Sequence, residues 1–144
     1  MPHQEDMREL LGANCFGKLD LLQGYWQMPL APEVQEVFTV VTPDGLFTPT
    51  RVPQGVLNAT SYCQRVMTDL LRGLDCNVWV DDVFYFVEDE ISLLCLLDEI
   101  LGRLESVGFF VAAHKCTFFA RELVWRGNFF LMVSCRIISP VYKV

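Results

Sequence analysis

The chain has 144 residues, 52% of them hydrophobic, and a formal net charge of −7. That length suits one domain with a real core, and the apolar content excludes a disordered chain. The acidic balance argues against a self-sufficient nucleic-acid binder, which needs a basic stripe, and only Arg8, Lys18 and Arg51 are cationic before residue 60.

No stretch offers about 18 uncharged apolar positions in a row, so no membrane span is expected. The opening "MPHQEDMREL" is too charged for a secretion signal and too acidic for an organelle transit peptide, which makes an intracellular, reducing compartment the expectation. Six cysteines without a CxxC pair, and only two histidines, make a zinc site a poor fit.

Residues 1–14 are polar and read as a ragged start. "CFGKLDLL" (15–22) is strand-like, and "YWQMPL" reads as a second extended piece closed by Pro29 and Pro32. In "EVFTVVTPDGLFTPTRV" two β-rich arms flank Pro43-Asp44-Gly45, the chemistry of a hairpin turn. Asn58 reads as a helix N-cap, followed by Tyr62, Val66, Met67 and Leu70 at helical spacing, with Gly73 as the stop.

Next, "NVWVDDVFYF" gives two runs of β-formers around Asp81 and Asp82. A second amphipathic helix is predicted over 89–107, with Leu93, Leu94, Leu97, Ile100, Leu101 and Leu104 on one face and Gly108 at its end. "FFVAA", "CTFFA" and "LVWRG" are strand-like. With the 25–52 insertion set aside, the order is β-α-β-β-α-β. The expected class is therefore α+β, a ferredoxin-like antiparallel sheet with both helices on one face and the other face open.

That topology brings Asp20, at the end of the first strand, toward Asp81-Asp82 at a later hairpin turn. Two readings of the Asp pair stand. Adjacent acids suit a solvated turn. With Asp20 they also suit hard divalent cations, because three bare carboxylates repel one another, by about 4 kcal/mol for a pair 4 Å apart at an effective dielectric of 20.

The segments "FGKLDLLQGYWQMPLAPE", "FTVVTPDGLFTPTRVPQGVLNATSYCQRVM", "VWVDDVFYF" and "HKCTFFARELVWRG", in this order, together resemble the palm of a reverse transcriptase. The resemblance is strongest to the gypsy class of long-terminal-repeat retrotransposons. It implies a ferredoxin-like polymerase palm with partial fingers over 15–127, the 25–52 region supplying an inserted hairpin, and a divergent tail over 128–144. The implied activity is template-directed nucleotidyl transfer, RNA-directed DNA synthesis by two-metal catalysis. The implied partners are an RNA or DNA template, a primer and deoxynucleoside triphosphates.

Residue by residue, the resemblance implies that Asp20, Asp81 and Asp82 bind two Mg²⁺ ions, with Mn²⁺ as a substitute and the Leu21 carbonyl as a further ligand. Tyr25 matches the aromatic gate that excludes a 2′-hydroxyl. Gln54 and Gly55, in "VPQG", match the segment contacting the incoming nucleotide and template. Lys115 matches a lysine near the leaving pyrophosphate, and Trp125 and Gly127 match the primer-grip hairpin.

Departures accompany the match. Trp79 stands where the family usually has Tyr, keeping an aromatic surface beside primer and template but losing a hydroxyl. Gln54 follows the retroviral form, and Arg126 replaces an apolar residue. The tail "NFFLMVSCRIISPVYKV" has no family counterpart, and a reading-frame slip near Gly127 is the hypothesis for it, tested by the coding sequence. With most fingers, the thumb and a ribonuclease H domain expected to be missing, the chain alone is expected to have little or no activity. The alternatives are a non-catalytic remnant, or an interaction module presenting Trp79, Phe84 and Phe86 as stacking aromatics on the open sheet face.

Overall fold

The computed structural model describes residues 13–125 and the backbone of 128–131. Its centre is a four-stranded antiparallel sheet built from β1 (Cys15–Asp20), β4 (Cys76–Trp79), β5 (Asp82–Val87) and β6 (Thr117–Ala120), in the order β4-β5-β1-β6. Between β1 and β4 the chain forms a short ribbon, β2 (Val40–Thr42) with β3 (Gly45–Phe47), and then the helix α3 (Ala59–Leu70). The helix α4 (Glu90–Ser106) follows β5. A last hairpin pairs β7 (Glu122–Trp125) with β8 (Asn128–Leu131).

The period of two along each strand sorts side chains onto two faces. Cys15 and Leu19 of β1, with Val83 and Tyr85 of β5, are buried in one cluster with Ala59, Cys63 and Met67 of α3 and Leu93, Ile100 and Leu104 of α4. Spacing of four and seven lines these helical residues into stripes facing the sheet. Met67, Ile100 and Leu104 are each at most 1% exposed, so truncating any one to Ala should cost about 2–5 kcal/mol. Phe16, Phe84 and Phe86, on the alternate parity, pack with Trp125 on the opposite face.

One close approach ties the sheet together. The Tyr85 ring lies over Gly17 of β1, where an added Cβ would stand 2.0 Å from the ring. Passing over that gap, the Tyr85 hydroxyl donates to the Phe118 carbonyl of β6 at 2.8 Å. A glycine in mid-strand, entropically costly, is what lets the phenol reach across.

Several expectations need correction. "YWQMPL" does not begin extended: Gly24–Gln27 is a single helical turn, α1. Gln23 takes a left-handed φ of 52° and its carbonyl accepts the Trp26 N–H at 2.8 Å, which folds the chain over. Extended pairing resumes only as one bridge, Pro29 to Arg51. Pro32–Gln35 forms another helical turn, α2, followed by a 3-10 turn at Glu36–Phe38, so the ribbon arms are shorter than the β-formers suggest. "FFVAA" is not a strand; only Val111 bridges, to Leu21, before a 3-10 turn at Ala113–Lys115.

The helix limits fall close to expectation. Asp89 caps α4 by accepting from the N–H groups of Ile91 and Ser92, each at 3.0 Å. Asn58 sits at the α3 N-cap without a side-chain capping bond. Leu94 is not on the core stripe but 65% exposed, because it lies beside Leu93 rather than a turn away. The segments 1–12, 126–127 and 132–144, which hold the ragged start, Arg126, Gly127 and most of the divergent tail, lie outside the described residues. Among the described residues no helix is long and apolar enough to cross a membrane.

Candidate active site

Strand β1 ends at Asp20 and β5 begins at Asp82, and the antiparallel register sets these two residues opposite each other. Both share the parity of Phe16 and Phe84, so both project from the face that the helices do not cover. Asp81 occupies the turn between β4 and β5, and its carbonyl accepts the Leu21 N–H at 2.9 Å. The three residues thus lie at one end of the sheet, Asp20 and Asp82 opposite each other and Asp81 in the adjoining turn.

The main chain under Asp20 is held on its other side. Its carbonyl accepts the Ala112 N–H at 2.8 Å, and its N–H points to the Cys116 sulfur at 3.4 Å. Lys115, carried on the adjoining 3-10 turn, brings Nζ to 3.3 Å from Asp20 Oδ1. Lys18, two residues before Asp20 on the same face, brings Nζ to 3.2 Å from Asp82 Oδ1. Each outer acid therefore holds one ammonium. Among the described residues, no three carboxylate, thiol or imidazole groups are gathered as a ready-made ion cage.

Among the described residues, Asp81 is the member of the trio with no lysine in an ion pair of its own. Burial pushes its carboxyl above the ordinary carboxylate value. The negative charges of Asp82 and Asp20 push the same way, against a backbone hydrogen bond and the positive charge of Lys115. A positive charge at this spot would offset the repulsion from Asp82 and Asp20.

The turn itself is strained. Val80 has a φ of 58°, a left-handed value at which a β-branched residue is an outlier and which costs on the order of 1–3 kcal/mol. It stands first of the two central residues, with Trp79 paired to Asp82, where a hairpin of this length normally uses Gly. Three bonds from α3 surround it. Gln64 Oε1 accepts the Val80 N–H at 2.8 Å, and Gln64 Nε2 donates to the Val78 carbonyl at 3.0 Å. The Cys63 thiol, its pKa pushed up to about 12 by burial and so a neutral donor, reaches the Val80 carbonyl at 3.4 Å.

The remaining predicted residues scatter around this corner. Tyr25, on α1, is half-buried against the helix-side core, and its hydroxyl shares a hydrogen bond of 3.1 Å with Thr60 of α3. Leu21 has its side chain buried at 1% exposure, leaving its main chain at the site. Gln54 and Gly55 form an exposed turn leading into α3, with Gly55 at a φ of 93°. Trp79 packs against both clusters beside the turn. Trp125 is buried away from the carboxylates, stacked on Phe84 at 5.1 Å between centroids.

That stacking corrects the picture of an open aromatic platform. Phe84 is 0% and Phe86 5% exposed, because the β7 strand closes over them. Neither is free to stack on a base. Sequence reasoning also missed the partners of the acids and of the turn. Lys18 shows a signal, since alternation puts it on the face of Asp20; Gln64 and Cys63 show none, because their contacts depend on how α3 docks.

Comparison with known proteins bears on what this corner is. Residues 1–129 match the family described as reverse transcriptase (RNA-dependent DNA polymerase). The chain is 30% identical over 130 residues to the enzymatic polyprotein of figwort mosaic virus, covering 88% of this chain and 20% of that protein. It is 35% identical over 118 residues to the Pol polyprotein of the Drosophila melanogaster transposon gypsy, covering 80% and 11% respectively. It therefore spans between a tenth and a fifth of the length of these relatives.

Among solved structures, a foamy viral protease-reverse transcriptase in complex with double-stranded DNA superposes with a TM-score of 0.80 at 22% identity, over 96% of this chain and 25% of that one. The foamy viral enzyme with an RNA/DNA hybrid gives 0.78 at 23% identity, over 92% and 19%. At such identity these two speak to the fold, a helix-and-antiparallel-sheet architecture held in common. The family match across most of the chain decides the rest: this protein belongs to the reverse transcriptase family, of the retrotransposon type.

Proposed function

We propose that the chain forms a polymerase palm with part of the fingers, acting in extension of a primer on an RNA or DNA template from deoxynucleoside triphosphates. The observation that carries this reading is the cross-strand pairing of Asp20 with Asp82, with Asp81 in the adjoining turn, on the sheet face away from the helices. The strand order β4-β5-β1-β6 supports a ferredoxin-like β-α-β-β-α-β arrangement with the β2–β3 ribbon inserted. The foamy viral enzymes bound to double-stranded DNA and to an RNA/DNA hybrid support nucleic acid as the partner.

Reverse transcriptases generally depend on divalent metal ions. The donors here fit hard cations, being three carboxylates and a main-chain carbonyl, and the repulsion from Asp82 and Asp20, which adds to burial in raising the Asp81 pKa, is of the kind an ion relieves. Asp20, Asp81, Asp82 and the Leu21 carbonyl would hold two Mg²⁺ ions, or Mn²⁺ in their place. When bound, such ions activate an attacking primer 3′-hydroxyl and offset the charge developing on the transferred phosphoryl group.

The chain's own groups supply the rest. Lys115 is 56% exposed beside Asp20, and its ammonium stabilises the leaving pyrophosphate. The Tyr25 ring, steadied through Thr60, stands as the gate against a ribose 2′-hydroxyl. Gln54 offers its amide to the incoming nucleotide, and Gly55, lacking a side chain, lets the backbone approach it. Trp79 and Trp125, with Gly127, serve the primer and template side. With a net charge of −7, the chain offers little of the positive charge that holding a duplex requires, and little or no activity is expected of it by itself.

Binding of Mn²⁺, followed by electron paramagnetic resonance of the free ion, tests the reading. The parent chain should bind, and Asp81→Asn should weaken binding by about tenfold or more. A parent chain that holds no Mn²⁺, or an Asp81→Asn variant that holds it equally well, overturns the proposal. Primer extension with Mg²⁺ should stay at background; processive extension would show the isolated chain to be a working enzyme.

A further inference from the structure

We propose that Gln64 is a positioning residue for the Asp81-Asp82 turn: its side-chain amide holds Val80 in a left-handed conformation and thereby aims the two carboxylates. The consequence for metal binding rests on the polymerase reading, whereas the hold on the turn does not.

The geometry is specific. Gln64 Oε1 accepts from the Val80 N–H at 2.8 Å, while Nε2 donates both to the Val78 carbonyl at 3.0 Å and to the Thr68 hydroxyl at 3.1 Å. Both amide hydrogens and the amide oxygen are thus engaged. Reversing the amide would set Oε1 against a carbonyl and Nε2 against an N–H, so only one orientation satisfies the site. A side chain fixed in this way acts as a rigid bracket.

The bracket has a firm base. Its neighbour Cys63 and the residues a turn away on either side, Ala59 and Met67, are buried against the sheet, so α3 cannot shift without opening the core. From that base Gln64 and Cys63 reach the Val78 carbonyl and both polar main-chain groups of Val80. These groups lie immediately before Asp81. A valine with a φ of 58° relaxes to negative φ if released, and that rotation would swing the Asp81 carboxylate away from Asp20. Glycine at the same position would need no bracket.

The test is a cycle of Gln64→Ala and Val80→Gly, singly and together, in the full chain. Hydrogen exchange at the residue 80 amide should quicken by about tenfold in Gln64→Ala, while exchange at Leu104 in α4 stays near the parent. Mn²⁺ affinity should fall by about tenfold in the same variant, but by less than about threefold when Gln64→Ala is made in the Val80→Gly background. Comparison within each background removes any general loss of stability from Val80→Gly. An unchanged exchange rate at residue 80, or an equal loss of Mn²⁺ affinity in both backgrounds, overturns the proposal. If the parent binds no Mn²⁺, the polymerase reading fails, and the exchange measurement alone decides the role of Gln64.

Discussion

The β2–β3 hairpin turns on Pro43 and Asp44, whereas the β4–β5 hairpin turns on Val80 and Asp81. In the first, proline pre-sets one φ, Gly45 accepts a φ of 134°, and the Thr42 hydroxyl accepts from the Asp44 N–H at 3.3 Å and donates to the Gly45 carbonyl at 3.1 Å. Every bond is made within four residues and the ribbon is largely exposed. In the second, the residue least suited to a positive φ occupies it, and the bonds that hold it come from a helix 14 to 17 positions earlier. Local chemistry specifies the outer hairpin. Tertiary packing specifies the inner one, and that is where strain tends to be kept for a purpose.

The contrast can be broken most severely beneath the inner hairpin. Gly17→Ala would drive a Cβ to 2.0 Å from the Tyr85 ring, and the overpacking should cost about 3 kcal/mol in urea unfolding. A loss below about 1 kcal/mol would mean that β5 yields easily and is no rigid platform for its turn.

A smaller effect should come from Asp81→Asn. The folded carboxyl has a raised pKa, so the native state holds its proton more tightly than the unfolded chain does. Stability contributed by this group therefore increases as pH falls from above the raised value toward the ordinary carboxylate value, and levels off below it. The variant should lose that slope and gain stability at neutral pH, by less than about 1 kcal/mol after solvent screening. Urea midpoints at neutral and mildly acidic pH measure both, and an Asp81→Asn variant that is less stable at neutral pH would contradict the cost of burial and charge repulsion at this carboxyl.

The outer turn should respond least. Pro43→Ala frees one φ in the unfolded chain and breaks no contact in the core, so it should cost about 0.5 kcal/mol. Unfolding midpoints suffice to check it, and a cost near that of Gly17→Ala would show the ribbon to be part of the cooperative unit.

The same distinction explains what the sequence made legible. The stripes of α3 and α4, the alternation in β1 and β5 and the Pro43-Asp44-Gly45 turn are local patterns, and each is found in the structure at or near its expected limits. The cross-strand placement of Asp20 opposite Asp82 followed from strand order. Other features depended on partners that periodicity does not reveal. "FFVAA" has the composition of a strand, but its only bridge is from Val111 to Leu21. Leu93 and Leu94 are identical in type and opposite in fate. Gln64 is an ordinary polar helix residue until α3 docks against the β4–β5 turn. Phe84 and Phe86 looked exposed because the cover supplied by Trp125 comes from almost 40 residues further along the chain.

The two ammonium groups at the carboxylate corner carry a last consequence. With three acids and two lysines, the corner carries at most one net negative charge, so a divalent ion arriving there would meet a nearly neutral neighbourhood rather than a deep electrostatic well. Its entry is an exchange of counter-charges, and each lysine displaced becomes a loose cationic arm at the rim. Added salt weakens the incumbent and the newcomer together, which should make occupancy less sensitive to ionic strength than three bare acids would be.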